Sequence, residues 1–364
     1  MKLLNPGPVT LTTRVKQALL REDLCHREQA FAELTLRVVA NIRQVYPASA
    51  STHVPVLLTG SGTSAVEAML ALVPLTRDAG GKRTLVLANG VYGDRAAQML
   101  KVQGKEFEVV SAPWTSGVDL AGARTALATG KFAHVVAVHH ETTTGRLNDI
   151  AAVGALCKEF GVGLLLDAVS SFGGEHIDFE AWNIEGCAGT ANKCLHAVPG
   201  IAFVVAKTDV FAARPSGATS LYLDLFRYKK EQEAGWSPFT QSVQAMFALD
   251  EALIEFAEAG GLVARHQAYC TLRDQVIDGL ARLGIDLFLP DRASYSAMLV
   301  SYKLPATVTY PQLHDHLFAR GFTIYAGQGP FSGQMFRIAN MGDLTVNDMD
   351  RLLNEIASLL RPAR

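Results

Sequence analysis

Several things are scarce in this 364-residue chain. Its five cysteines (Cys25, Cys157, Cys187, Cys194 and Cys270) are scattered, odd in number and never spaced as Cys-x-x-Cys. Neither a disulfide framework nor a zinc site is expected, so no metal is assigned. The thiols read as the reduced cysteines of a cytoplasmic protein. No apolar run approaches the roughly 18 residues that suggest a membrane span. The opening residues reach Pro6-Gly7-Pro8 before any long apolar stretch, so no secretory signal is expected. Charge of either sign is not in excess: 33 basic residues face 35 acidic ones, a net −2. That gives no electrostatic footprint for nucleic acid or an anionic membrane. Internal repeats, low-complexity tracts and charged tails are also missing.

What remains is an ordinary globular composition, 49% hydrophobic and 19% charged, with ample material for a core. Residues 11–45 carry apolar positions at roughly helical spacing. From about residue 55, short apolar runs at 56–59, 84–88, 107–111, 134–139, 162–167 and 201–206 alternate with amphipathic segments at 64–73, 93–103, 119–129 and 150–160. Such alternation predicts an α/β fold with a mostly parallel sheet covered by helices on both faces. After about residue 245 the texture becomes α+β. Long helices are predicted over 243–257 and 266–283, and strands over 297–302, 322–325 and 335–338, with a helix over 310–320 between them. A closing helix starts at Thr345, where Thr345-Val346-Asn347-Asp348 resembles a helix-start box. The expected organisation is an N-terminal arm (1–15), a large α/β domain (16–245) and a smaller C-terminal α+β domain (246–364), with the arm near the latter.

Chemistry-bearing residues gather at the ends of the apolar runs. Gly60-Ser61-Gly62-Thr63-Ser64 follows a strand and opens a helix. Glycines admit an anion to the backbone, the helix start offers free N–H groups, and Thr63 and Ser64 add hydroxyls, so a phosphate fits there. A plain strand-to-helix turn is the other reading. In Asn89-Gly90-Val91-Tyr92-Gly93-Asp94-Arg95, Tyr92 can stack on a planar ring or complete a core edge. His139-His140-Glu141-Thr142-Thr143-Thr144-Gly145 invites a metal reading, but adjacent residues of a strand point to opposite faces. Hydroxyls from Thr142 or Thr143 near a cofactor oxygen are the better reading. Asp167 ends the run Val162–Asp167, at the sheet edge where open α/β folds place ligands. Lys193 lies among small or apolar neighbours in Ala191-Asn192-Lys193-Cys194-Leu195. Partial burial would lower its pKa and free its amine for imine formation. A lysine so placed, with a carboxylate ending an upstream buried strand, meets the needs of pyridoxal phosphate chemistry. The amine joins the cofactor and the acid keeps the ring nitrogen protonated. Thr240 precedes a long helix and can donate to a phosphate, from its own or a neighbouring subunit. Arg337 sits within the apolar strand Met335–Ile338, where a buried guanidinium needs an anionic partner. A structural ion pair is the alternative there.

The order of these pieces resembles the class V aminotransferases, of the fold-type-I pyridoxal phosphate enzymes, over nearly the whole chain. Pro-Gly-Pro, Gly-Ser-Gly-Thr, Asn-Gly-x-Tyr-Gly, His-x-Glu-Thr-Thr-Thr-Gly, Asp-Ala-Val-Ser, Asn-Lys-Cys-x-x-x-x-Pro-Gly and Phe-Arg-Ile carry it. The resemblance implies a homodimer with pyridoxal 5'-phosphate bound at the subunit interface, working on a small amino donor and a keto-acid acceptor. By that likeness Lys193 is the Schiff-base lysine and Asp167 the pyridinium partner. Gly62, Thr63 and Ser64 form the phosphate loop, Tyr92 stacks on the ring and Thr142 meets the phenolic oxygen. Thr240 reaches the phosphate of the other subunit, and Arg337 grips the substrate anion. The pieces Glu141–Gly145, Asp167–Gly173 and Asn192–Cys194 carry a narrower likeness to the phosphonate-handling members. Ser64 and Gln241 depart from that pattern, which often has an aromatic and a histidine there. The stretch Cys25–Phe31 resembles members acting on alanine or serine.

Overall fold

The computed structural model describes residues 1–74 and 80–360; the last four residues of the expected C-terminal domain, 361–364, lie outside them. In chain order the elements are β1 (Lys2–Leu3), α1 (Thr13–Ala18), α2 (Gln29–Arg43), β2 (His53–Gly60), α3 (Gly62–Met69), β3 (Arg83–Ala88), α4 (Val91–Val102) and β4 (Phe107–Ser111). There follow α5 (Leu120–Leu127), β5 (Phe132–Val138), the short ladder β6 (His140–Glu141) and β7 (Arg146–Leu147), α6 (Ile150–Phe160), β8 (Gly163–Asp167), β9 (Ile184–Thr190) and β10 (Gly200–Lys207). The remainder is α7 (Val210–Ala213), α8 (Leu225–Gln232), α9 (Val243–Glu258), α10 (Gly261–Arg282), β11 (Leu299–Lys303), α11 (Tyr310–Phe318), β12 (Phe322–Thr323), β13 (Tyr325–Ala326), β14 (Met335–Ala339) and α12 (Val346–Leu360).

Seven strands form the central sheet in the order β2-β10-β9-β8-β5-β3-β4. All but one run parallel; β10 is antiparallel to both its neighbours. Side chains alternate between the two faces with period two, and both faces are apolar because both are covered. Val56, Leu58, Val86, Val136 and Leu165 face the layer of α3, α4 and α8. Leu57, Leu85, Leu87, Val135, Leu164 and Leu166 face the layer of α1, α2, α5, α6 and α9.

The stretch Ile184-Glu185-Gly186-Cys187-Ala188-Gly189-Thr190 is a central strand that periodicity does not reveal. It has few bulky β-formers. Its small residues bring Met69, Leu72 and Phe203 directly against its backbone. The same economy operates in α6, where Gly154 lies against the backbone of Trp182. A Cβ there would stand 2.4 Å from the Trp182 Cα. Glycine inside a helix ordinarily costs about 0.5–1 kcal/mol relative to alanine. Here the clash outweighs that gain, so Gly154→Ala is expected to destabilise the protein by about 1–3 kcal/mol. Urea unfolding of the two proteins measures it.

The smaller unit is the antiparallel sheet β11-β14-β13 with α10, α11 and α12 packed on it. Its last helix opens on a reciprocal cap: Asp348 N donates to Thr345 Oγ1 at 3.2 Å, and Thr345 N to Asp348 Oδ2 at 3.0 Å. The arm lies on this unit, with β1 parallel to β12 and Leu4 in its core. The cores divide later than residue 245. Met246, Leu249, Leu253 and Phe256 of α9 belong to the core of the large unit, so we propose the boundary at the turn Ala259–Gly260. An apolar helical stripe shows that a helix packs, not which core receives it.

Candidate active site

The carboxyl ends of β2, β3, β5, β8 and β9 share one edge of the sheet, where loops can converge on a ligand. Asp167 is the last residue of β8, paired with Val138 at the end of β5 and Ala188 in β9. Lys193 stands in the turn that follows β9. The two side chains line one cavity together with Tyr92, His140, Thr142, Val169 and Ser170. An adjoining hollow shares Tyr92, Asp167 and Val169 and continues to Gly62, Thr63 and Arg95.

Burial dominates the electrostatics of this pair. It pushes the Asp167 carboxyl up to about 6, against a hydrogen bond from Val169 N at 3.0 Å and the charges of Arg95 and Lys193. It draws Lys193 down to about 8. An amine near 8 is partly unprotonated at neutral pH, which suits nucleophilic and proton-transfer work. The only hydrogen bond Lys193 Nζ makes among the described residues is to the Pro6 carbonyl. The Pro6-Gly7-Pro8 turn thus lies over the lysine. Gly7 has φ +119°, and a Cβ on it would stand 2.8 Å from Nζ, so only glycine fits both the backbone and the close approach.

The other expected residues are distributed as follows. Gly62 and Thr63 open α3, whose first N–H groups have no partner within a helix. Ser64 is one step further, with Oγ donating to Ser61 O at 2.6 Å. Its hydroxyl closes the turn of its own helix and does not line the cavity. Tyr92 lies in the first turn of α4, with the Arg95 guanidinium 4.9 Å from its ring centre. Thr142 is buried. Thr240 is exposed and lines neither hollow; within one chain it is not brought to Lys193.

Arg337 sits in β14, 2% exposed. Nε and Nη2 donate to Ala326 O at 3.0 and 2.7 Å, and Nη1 donates to Thr142 O at 2.7 Å and Gln328 Oε1 at 3.3 Å. Among the described residues no carboxylate pairs with it, so the structural ion pair is not what buries this guanidinium. Burial lowers its pKa, and its charge acts on Lys193. Of its five N–H groups one is uncommitted, and the long bond to Gln328 is the easiest to surrender to an anion.

Two residues emerge that their motifs contained but sequence reasoning did not single out. Arg95 is three positions after Tyr92, which places both on one helix face. Glu141 is fully buried. Its carboxylate accepts from Thr143 Oγ1 at 2.6 Å, Thr143 N at 3.1 Å and Tyr92 N at 3.3 Å. It ties the start of α4 to the Thr142 loop that Arg337 holds. The two histidines beside it point apart. His139 meets the Trp182 ring edge-on, while His140 bonds to Ser170 O and Ser296 Oγ.

Burial pushes Glu141 up to about 7, whereas an unfolded glutamate titrates near about 4.3. Between those values the folded chain binds the extra proton, so this group's contribution to stability falls as pH rises. Cofactor-free Glu141→Gln is therefore expected to gain stability relative to the parent between about pH 4.5 and 7.5. His139 and His140, pushed down to about 3 and 4 by burial, act alike in both proteins. Urea midpoints at the two pH values give the sign, and a difference that stays flat or reverses rejects it.

A lysine and an acid at the carboxyl edge of a parallel sheet, with a small second unit above, define a class of protein. The family model for class V aminotransferases matches residues 15–336, and the chain belongs to that family. It is 36% identical to the 2-aminoethylphosphonate–pyruvate transaminase of Pseudomonas putida (strain W619), covering 99% of this chain and 96% of that one. With the enzyme of the same name from Vibrio cholerae serotype O1 it shares 35% identity, over 97% and 95%. Among solved structures, alanine–glyoxylate aminotransferase from Nostoc sp. superposes with TM-score 0.90 at 27% identity, over 99% of this chain and 95% of that one. Pyridoxamine–pyruvate aminotransferase from Mesorhizobium loti gives TM-score 0.87 at 25%, over 99% and 93%.

Proposed function

We propose that this chain is a transaminase that uses pyridoxal 5'-phosphate to move the amino group of 2-aminoethylphosphonate to pyruvate. The products are phosphonoacetaldehyde and alanine, formed in two half-reactions. The observation that carries the reading is the buried Asp167 and the part-buried Lys193, lining one cavity at the carboxyl edge of the sheet. The relatives' names supply the substrates.

The donor set fits the cofactor. Asp167 would face the pyridine nitrogen and Tyr92 one side of the ring. Thr142 would meet the phenolic oxygen. The N–H groups at the start of α3, with Thr63, would take the phosphate. Ser64 does not add to it, since its N–H and its hydroxyl are both engaged with Ser61 O. When bound, pyridoxal phosphate supplies a cationic ring that takes up the electron pair left on the donor's carbon. Asp167 keeps the ring-nitrogen proton in place, since a carboxylate beside a cation is held ionised. Lys193 would carry the proton of the donor carbon to C4′ of the cofactor and, in the second half-reaction, carry one from C4′ to the acceptor's carbonyl carbon. Arg337, without an acidic partner among the described residues, holds the phosphonate of the donor and then the carboxylate of the acceptor. Thr240, exposed in one chain, reaches the phosphate of a second copy, so the working form is a homodimer. The free thiols suit the cytoplasm. Among the described residues no helix is long and apolar enough to cross a membrane.

A second reading, alanine–glyoxylate or serine–pyruvate transamination, draws on the Cys25–Phe31 stretch and on the likeness to the Nostoc enzyme. Purified enzyme is mixed with 2-aminoethylphosphonate, alanine or serine, and bleaching of the visible-edge absorbance is followed. Rapid bleaching by 2-aminoethylphosphonate and not by alanine or serine is the expected result; the reverse order rejects the first reading.

A further inference from the structure

Away from Lys193, a cleft of about 530 Å³ opens where α10 faces the large unit, lined in part by Glu175, His176, His266, Gln267, Arg273 and Ala297. Three of its neighbouring side chains form a chain of contacts. His266 and Cys270 are four residues apart on α10, so they share a face, and Cys270 Sγ lies 3.4 Å from His266 Nε2. The other imidazole nitrogen, Nδ1, is 2.9 Å from the Gly174 carbonyl and 3.4 Å from Glu175 Oε2. A carbonyl oxygen only accepts, which fixes the proton on Nδ1 and leaves Nε2 as a lone pair facing the thiol. Glu175 is itself held: it is 4% exposed, and its Oε1 accepts from Ala297 N at 2.7 Å. The order is thiol, base, carboxylate, the arrangement by which a weak nucleophile is activated.

We propose that Cys270 is a thiol–disulfide exchange site, with His266 as its base and Glu175 orienting that base, at which small soluble disulfides modify the protein. The Cys270 S–H proton passes to His266 Nε2, and the thiolate attacks one sulfur of the disulfide. A new S–S bond forms to Cys270 and the old S–S bond breaks. The departing thiolate takes the proton from His266 and leaves as a free thiol. Cys270 is oxidised and one sulfur of the reagent is reduced, so the step balances without another reactant. Burial and the charges of Glu175 and Asp274 push the Cys270 thiol up, and Arg273 acts the other way. An ordinary thiol in that setting reacts slowly, so the imidazole has to supply the difference.

The other cysteines serve as references within the same molecule. Cys25 is exposed, while Cys157, Cys187 and Cys194 are buried. Intact enzyme is treated at pH 7 with 2-hydroxyethyl disulfide, and mixed disulfides are mapped and timed by mass spectrometry, for the parent and for His266→Gln. His266 is 42% exposed in its side chain, so the substitution spares the core. Cys270 modification is expected to slow by at least about 10²-fold, the lower end of the range for general-base assistance, with the Cys25 rate unchanged. A smaller fall, or a Cys270 that stays unmodified once Cys25 is fully modified, overturns the proposal. Should His266→Gln expose the buried thiols, His266→Asn is read by the same criteria. Cys270→Ser must remove the mapped adduct.

Discussion

Lys193→Ala is expected to lower turnover by at least about 10⁴-fold, since general acid–base transfer alone contributes about 10²–10⁴ and the covalent anchor is lost as well. Among the described residues no other amine stands ready to replace it: Lys193 is the only lysine of these that lines the cavity holding Asp167. Its surroundings leave that amine partly unprotonated at neutral pH, through burial that brings it down to about 8. Steady-state rates with 2-aminoethylphosphonate and pyruvate measure the loss, and the visible-edge absorbance should vanish with it. A variant that keeps both rate and absorbance removes the lysine from the mechanism. Folding is not expected to suffer, because the hydrogen bond lost is to the carbonyl of Pro6 in the covering arm.

Arg337→Gln is the second large effect. The guanidinium is buried without an acidic partner among the described residues, held only by carbonyls and an amide. On the proposed reading its charge is compensated when an anionic substrate arrives. Removing one member of a buried, hydrogen-bonded charge pair costs about 2–5 kcal/mol, roughly 30-fold to several thousand-fold in kcat/KM. Both substrates should suffer, since phosphonate and carboxylate would use the same fork. Arg337→Lys keeps the charge but loses the planar fork, and an intermediate loss is expected. Unchanged cofactor absorbance in both variants separates substrate recognition from a damaged site. A kcat/KM within about threefold of the parent in Arg337→Gln would contradict the assignment.

The site was legible because its chemistry sits at strand ends, and strand ends are marked by where apolar runs stop. Asp167 closes Val162–Asp167, and Tyr92 and Thr142 follow the runs that became β3 and β5. Other features escaped for reasons of packing. The strand Ile184–Thr190 has glycine and alanine where bulky residues are usual, because neighbouring side chains fill that space. The region 11–45 reads as continuously helical but breaks between Ala18 and Gln29. Arg95 and Glu141 received no cofactor-site role from their motifs; one lies over the Tyr92 ring and the other buries its carboxylate against Tyr92 N.

The sequence by itself determined the period of each element, the apolar faces of the sheet and the lysine and acid at its carboxyl edge. These follow from local geometry, with side chains alternating along a strand and recurring every 3.6 residues along a helix. Only the tertiary structure decided that α9 joins the larger core, that Pro6 and Gly7 cover Lys193, that Arg337 is buried with no carboxylate paired to it among the described residues, and that His266 turns its lone pair toward Cys270. Each of those depends on residues distant in the chain meeting in space, and on the desolvation that follows. Burial is a property of the assembled fold, and no local pattern encodes it.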